Sequence, residues 1–188
     1  MNMSEEKSKK EIIAETFLKF FLQHGMVQTI INDVAKELHM SKKTIYKYFR
    51  GGKEECLYFI FSNIATESLK HLENDLNDIP DPKEKLIYSL KHIFGLAVPY
   101  VLGNAAEKEE DFLLENQIVG ESFRDVFQNK LKMIIHEGIE KKEFHVKDVE
   151  LSFHFIYGII TESMVVVHQN PKRNIVNEVT EAILKILK

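Results

Sequence analysis

Between residues 42 and 47 the chain reads Lys42-Lys43-Thr44-Ile45-Tyr46-Lys47. Lysine ammonium groups neutralise phosphates, and Thr and Tyr hydroxyls bond phosphate oxygens or base edges from the first turns of a helix lying in a DNA groove. The charge around this segment is concentrated. Residues 36–53 hold six basic side chains (Lys36, Lys42, Lys43, Lys47, Arg50 and Lys53) against one acidic, Glu37. The whole chain has a net charge of -4, which alone would discourage a nucleic-acid role. Splitting it reverses that inference. Residues 1–60 carry ten basic and eight acidic side chains, whereas residues 61–188 carry fifteen and twenty-one. A local basic footprint is what a nucleic-acid contact needs, and the bulk charge conceals it. Thr29, a little upstream, could direct its hydroxyl and the free N–H groups of a helix start at a phosphate.

The elements that must position these groups follow from apolar periodicity, which is helical throughout, with no strand alternation. A first helix is expected over 5–24, striped by Ile12, Ile13, Phe17, Phe20 and Phe21 and stopped by Gly25. A short second helix starts near Thr29, with Ile31, Val34, Ala35 and Leu38 on one face. Ser41 is a good N-cap for a third, containing Ile45, Tyr48 and Phe49. Two short helices joined by about three residues, with small Ala35 at their crossing, fit a helix-turn-helix. Longer helices follow over 53–78, 82–102 (kinked at Pro99), 104–119, 121–143, 148–168 and 172–188. The expected fold is all-α, with about nine helices: a three-helix head (1–52) and a larger bundle (53–188).

Composition bounds the alternatives. The chain has 188 residues, 44% hydrophobic and 29% charged, enough for a core without covalent props. A single cysteine, Cys56, excludes an internal disulfide framework or a multi-cysteine zinc site. The start of the chain lacks a signal-peptide core, and no run approaches the roughly 18 uninterrupted apolar residues of a spanning helix. A cytoplasmic protein without a membrane role is expected. The competing class is an all-helical enzyme or interaction scaffold. There is no Gly-rich phosphate loop, no nucleophile elbow and no cofactor motif, and His136-Glu137 lacks the second histidine of a zinc-protease signature. No catalytic residue, metal site or cofactor is expected.

Residues 11–57 resemble the DNA-binding domain of the TetR family of bacterial transcriptional regulators. The match runs through Gly25, Thr29, Val34-Ala35, Met40-Ser41, Thr44-Ile45-Tyr46-Lys47-Tyr48-Phe49 and Lys53-Glu54. The segment Glu137-Gly138-Ile139-Glu140-Lys141-Lys142-Glu143-Phe144, followed by Asp148, is similar to the approach to that family's last two helices. Some positions depart from the pattern. Met26 replaces an aromatic residue, Ile30 a hydroxyl residue and His39 a glycine in a left-handed turn, and Arg50-Gly51-Gly52 lengthens the link to Lys53.

The resemblance implies a repressor that binds an inverted-repeat DNA operator as a homodimer and is released by a small molecule. It places Thr29, Lys42, Lys43, Thr44, Tyr46, Lys47 and Lys53 on DNA. The dimer interface would lie in the last two helices, through Phe153, Ile156, Ile160, Met164, Val167, Val179 and Ile183. The 13 Phe and 6 Met suggest a largely apolar effector pocket, with Phe61, Phe94, Phe127, His154 and Tyr157 as its expected lining.

Overall fold

The computed structural model describes residues 8–103 and 108–188, and no strand occurs among them. Helix α1 (Lys9–His24) opens with a reciprocal capping box: the Glu11 amide donates to Ser8 Oγ at 3.2 Å, and the Ser8 amide donates to the Glu11 carboxylate at 2.7 Å. Residues 5–7 of the expected helix lie outside the described residues. Gly25 ends α1 with φ +78°, a conformation that only glycine adopts freely.

Helices α2 (Ile31–Glu37) and α3 (Lys42–Tyr48) are joined by a tight turn in which His39 takes φ +51°. This is the left-handed turn where the sequence substitutes His for Gly. Ser41 caps α3 as expected, its hydroxyl accepting the Thr44 amide at 3.1 Å. Phe17, Phe21, Met26, Val34, Ile45 and Phe49 are wholly buried between these helices, and Ala35 sits buried at the crossing.

Helix α4 (Gly52–Leu76) belongs to both parts of the molecule. Gly52 turns the chain at φ +69°, and the Glu55 carboxylate accepts the Gly51 amide at 2.7 Å, so the Arg50-Gly51-Gly52 link is a closed turn. Downstream, Cys56, Leu57 and Phe61 continue the head's apolar core into the body without a break. Helix α5 (Pro82–Gly103) starts on proline, with Asp81 accepting the Lys83 and Glu84 amides.

The largest departure from expectation is α6, a single helix of 32 residues (Glu109–Glu140). Sequence periodicity divided it at Gly120, and part of the expected 104–119 helix, residues 104–107, lies outside the described residues. Gly120 does not break the helix, because it serves as a close contact. A Cβ there would stand 3.2 Å from the Tyr157 hydroxyl. Eight helices therefore replace the expected nine or so, among the described residues.

Helix α7 (Val149–Gln169) is capped by Asp148, and α8 (Val176–Ile186) closes the chain, whose end is tied down by the His145 amide donating to the Leu187 carbonyl at 2.8 Å. By length and mean hydropathy α5 and α7 are long and apolar enough to cross a membrane, although neither is an uninterrupted apolar run. Both have buried faces in this structure, packed against α6.

Gly138 lies where the Phe144 ring folds back on α6, and an added Cβ would fall inside that ring. Gly138→Ala should therefore destabilise the fold by about 1–3 kcal/mol despite the higher helix propensity of alanine. Urea unfolding checks this, and an unchanged or higher midpoint would contradict it.

Candidate nucleic-acid interface and interior cavity

The basic residues expected on DNA divide into two groups. Lys42, Lys43, Tyr46 and Lys47 are exposed, as is Arg50 just beyond. At 100° per residue Lys42, Lys43, Tyr46 and Lys47 fall within one face of α3, and Arg50 lies past the helix end, where Phe49 leaves helical geometry at φ −130°. Among the described residues no carboxylate pairs with Lys42, Lys43, Lys47 or Arg50, whereas Lys19 of α1 and Lys36 of α2 each have one. Thr44 is half-buried, with its hydroxyl 3.0 Å from Ser41 Oγ. An unpaired cationic face with one tyrosine is suited to phosphate and base contacts.

Thr29 and Lys53 are placed differently. Thr29 is buried and its hydroxyl donates to the Gly25 carbonyl at 2.8 Å, so it locks the α1–α2 turn instead of facing outward. Lys53 donates to the Val27 carbonyl at 2.7 Å, and partial burial lowers its pKa against the opposing pull of Glu115, Glu54 and Asp111. Both expected DNA contacts serve to hold the turn at residues 25–29.

That turn has a third anchor, which sequence reasoning missed. Glu115 of α6 is 0% exposed. One of its oxygens accepts the Met26 amide at 2.6 Å and the other accepts the Tyr100 hydroxyl at 2.6 Å, while the Val27 amide also bonds the carboxylate. Burial pushes the Glu115 carboxyl upward, and these donors oppose the shift. Nothing local in the sequence distinguishes Glu115 from the solvated acids around it.

Tyr100 connects this joint to a cavity. A space of about 50 Å³ lies between α5, α6 and α7, lined almost wholly by apolar groups. Its walls come from repeated stripes: Ile93, Ala97, Tyr100 and Val101 on α5, then Phe112, Asn116, Val119, Phe123, Phe127 and Leu131 on α6, then Phe153, Tyr157, Ile160, Thr161 and Met164 on α7. Of the expected lining, Phe127 and Tyr157 are present. Phe61 stands one layer behind, edge-on to Tyr100 at 4.6 Å, and Phe94 faces a separate surface groove beside Pro171. His154 is exposed on α7. Arg124, half-exposed and 5.3 Å from the Tyr157 ring, is the charged member of the lining.

Three side chains expected at the dimer interface, Phe153, Ile160 and Met164, instead line this cavity. Ile156, Val167 and Ile183 are buried in the chain's own core, and Val179 is half-buried. The apolar surface left on α7 is another face, with Leu151 50% and Phe155 54% exposed.

Comparisons with known proteins agree with this architecture. Residues 8–58 match the family model for bacterial regulatory proteins, tetR family. The fatty acid metabolism regulator protein of Bacillus subtilis (strain 168) is 25% identical over 189 residues, covering 98% of this chain and 96% of that protein. The crystal structure of the transcriptional regulator FadR from Bacillus subtilis in complex with stearoyl-CoA superposes with a TM-score of 0.68 at 23% identity, covering 95% of this chain and 97% of that one. RolR in complex with resorcinol gives a TM-score of 0.72 at 14% identity, covering 95% and 86%.

Cys56 is fully buried beneath the head, and burial, reinforced by Glu55, pushes its thiol far above the ordinary value. Only the thiolate is a nucleophile, so the folded protein at pH 8 should leave Cys56 unmodified by a thiol-disulfide reagent until denaturant is added. Rapid stoichiometric labelling of the native protein would contradict this.

Proposed function

We propose that this chain, whose residues 8–58 match the family model for bacterial regulatory proteins, tetR family, is a ligand-responsive transcriptional repressor, released from an inverted-repeat operator when a long-chain acyl thioester enters its body. In this reading residues 1–52 are the DNA-binding head and residues 53–188 the ligand-binding and dimerisation body. A protein of this kind works where bacterial DNA is, in the cytoplasm.

The observation that carries the DNA reading is the exposed set of Lys42, Lys43, Tyr46 and Lys47 on the outer face of α3, with Arg50 just beyond, none of whose cations has an acidic partner among the described residues. Lys43 is the residue placed to read bases, and Lys42, Tyr46, Lys47 and Arg50 contact phosphates. A two-fold dimer presents two such helices about one turn of DNA (~34 Å) apart and so reads a palindrome. Its contact surface is the outer face of α7, through Leu151, Phe155 and Ile159, with the half-buried Val179 of α8 beside it.

The acyl class of effector rests on two supports. One relative is named for fatty acid metabolism and one structural neighbour holds stearoyl-CoA. In this chain the cavity has an apolar lining with one cation, the half-exposed Arg124, which an entering anion would share with Asp125 at 3.4 Å. That pairing suits an apolar chain with an anionic head. At about 50 Å³ the cavity is far below the roughly 300–1,000 Å³ of small-molecule sites. A long chain enters only by parting α6 from α5 and α7, and it therefore prefers a different body conformation. That differential affinity is the whole source of its effect on DNA binding.

Fluorescence anisotropy on an inverted-repeat duplex, selected from a random library by the purified protein, tests this reading. Binding should fall steeply with salt, and Lys47→Ala should reduce the log-log slope by about 1 per phosphate contact removed. Lys43→Ala should alter base preference, whereas Tyr46→Phe should weaken all sequences alike. Stearoyl-CoA should release the duplex and free CoA should not. A flat salt response would defeat the DNA reading, and indifference to stearoyl-CoA would defeat the acyl reading.

A further inference from the structure

The turn ahead of α2 is held at three points that come from three parts of the chain. Thr29 closes it on itself, Lys53 of α4 holds the Val27 carbonyl, and Glu115 of α6 holds the Met26 and Val27 amides. The first two grip from within the head and its own connecting helix. Glu115 is different, because its second oxygen is bound to Tyr100, and Tyr100 is part of the cavity wall. A continuous path of hydrogen bonds therefore runs from the cavity, through a hydroxyl and a carboxylate, to the backbone of residues 26–27. Ile30, the N-cap of α2, follows only three positions after Val27.

This path is short and stiff. Tyr100 is pinned by the edge-on Phe61 ring at 4.6 Å, so its hydroxyl cannot shift without moving the ring that the cavity contents would touch. Glu115 is wholly buried, so water cannot replace a lost donor cheaply. If α5 and α6 separate, the carboxylate must either release Tyr100 or draw the turn with it.

We propose that Tyr100 and Glu115 are positioning residues for DNA binding, coupling the contents of the body cavity to the orientation of α2 and α3 through the Met26 and Val27 amides. The coupling rests on the reading of that cavity as the effector site. The bridge itself does not, since it exists whether or not a ligand enters.

Hydrogen–deuterium exchange on the full-length protein separates the two. Without ligand, Tyr100→Phe and Glu115→Met should each speed exchange of the Met26 and Val27 amides by about tenfold, the effect of removing a charge-assisted hydrogen bond. Glu115→Gln keeps an acceptor for Met26 and should restore most of the protection. Exchange across α7 should stay as in the native chain, showing that the fold is intact. Unchanged exchange at residues 26–27 in Tyr100→Phe would overturn the bridge, and that variant removes one oxygen only, so it decides the matter even if Glu115→Met fails to fold.

Stearoyl-CoA is the probe for the second arm. In the native chain it should change exchange both in α6 around residues 119–127 and in the turn at 26–28. In Glu115→Met, whose altered side chain does not line the cavity, the α6 change should persist while the turn no longer responds. A turn that responds equally in both proteins would overturn the coupling. Absence of any stearoyl-CoA effect on α6 in the native chain would instead overturn the acyl reading, leaving the ligand-free exchange to decide the bridge.

Discussion

A carboxylate removed from water without a direct cationic partner is among the more expensive groups a protein can bury, worth several kcal/mol unless donors surround it. Glu115 is such a group, and its donors come from both halves of the molecule: the Tyr100 hydroxyl from the body and backbone amides from the head. Removing either half strands the charge. The first three helices are therefore not a bead on a flexible link, and their apolar core runs without a break into that of the later helices. The remaining joints agree with this constraint. Lys53 pulls the same turn toward α4, and Gln28 lies 3.4 Å from Asp111, one turn of α6 before Glu115.

The constraint also explains why α6 has to be one rod. About 48 Å long at 1.5 Å per residue, it touches the head at Glu115, lines the cavity from Phe112 to Leu131 and reaches the Gly138–Phe144 fold-back at its far end. A break at Gly120 would uncouple the first of these from the rest. The stripe at 112, 116, 119, 123, 127 and 131 is fully helical in spacing, yet it is visible only once Gly120 is read as a point of close packing against Tyr157. Glycine in a sequence signals either a stop or a close approach, and only the partner across the gap distinguishes them.

Legibility followed the range of the interactions. The capping by Ser41, the left-handed His39, the burial of Ala35 and the exposed lysines of α3 all depend on neighbours within a few residues, and each was readable. Thr29 and Lys53 were assigned outward roles because their types suit phosphate; their actual partners, Gly25 and Val27, are backbone carbonyls, which carry no signature in the sequence. In α7 the difficulty was an excess of apolar faces. Phe153, Ile160 and Met164 turn to the cavity and Leu151 and Phe155 turn outward, but periodicity alone cannot say which stripe meets which surface.

If the cavity is the effector site proposed above, its tightness sets what kind of ligand could act there. Driving a two-state equilibrium from 1:99 to 99:1 takes about 5.5 kcal/mol of differential affinity. Each buried methylene contributes about 0.8 kcal/mol, so about seven of them equal that shift before anything is subtracted for parting the helices. Parting them is itself costly, since Phe123, Phe127 and Phe153 lose contacts across a closely packed interior. A small aromatic or a short acyl group has too little surface to cover both terms. A long apolar chain does, because its surplus grows with length while the opening step is largely fixed. In the proposed reading the narrow cavity is thus a filter as well as a site, and chain length weighs more than any single polar contact.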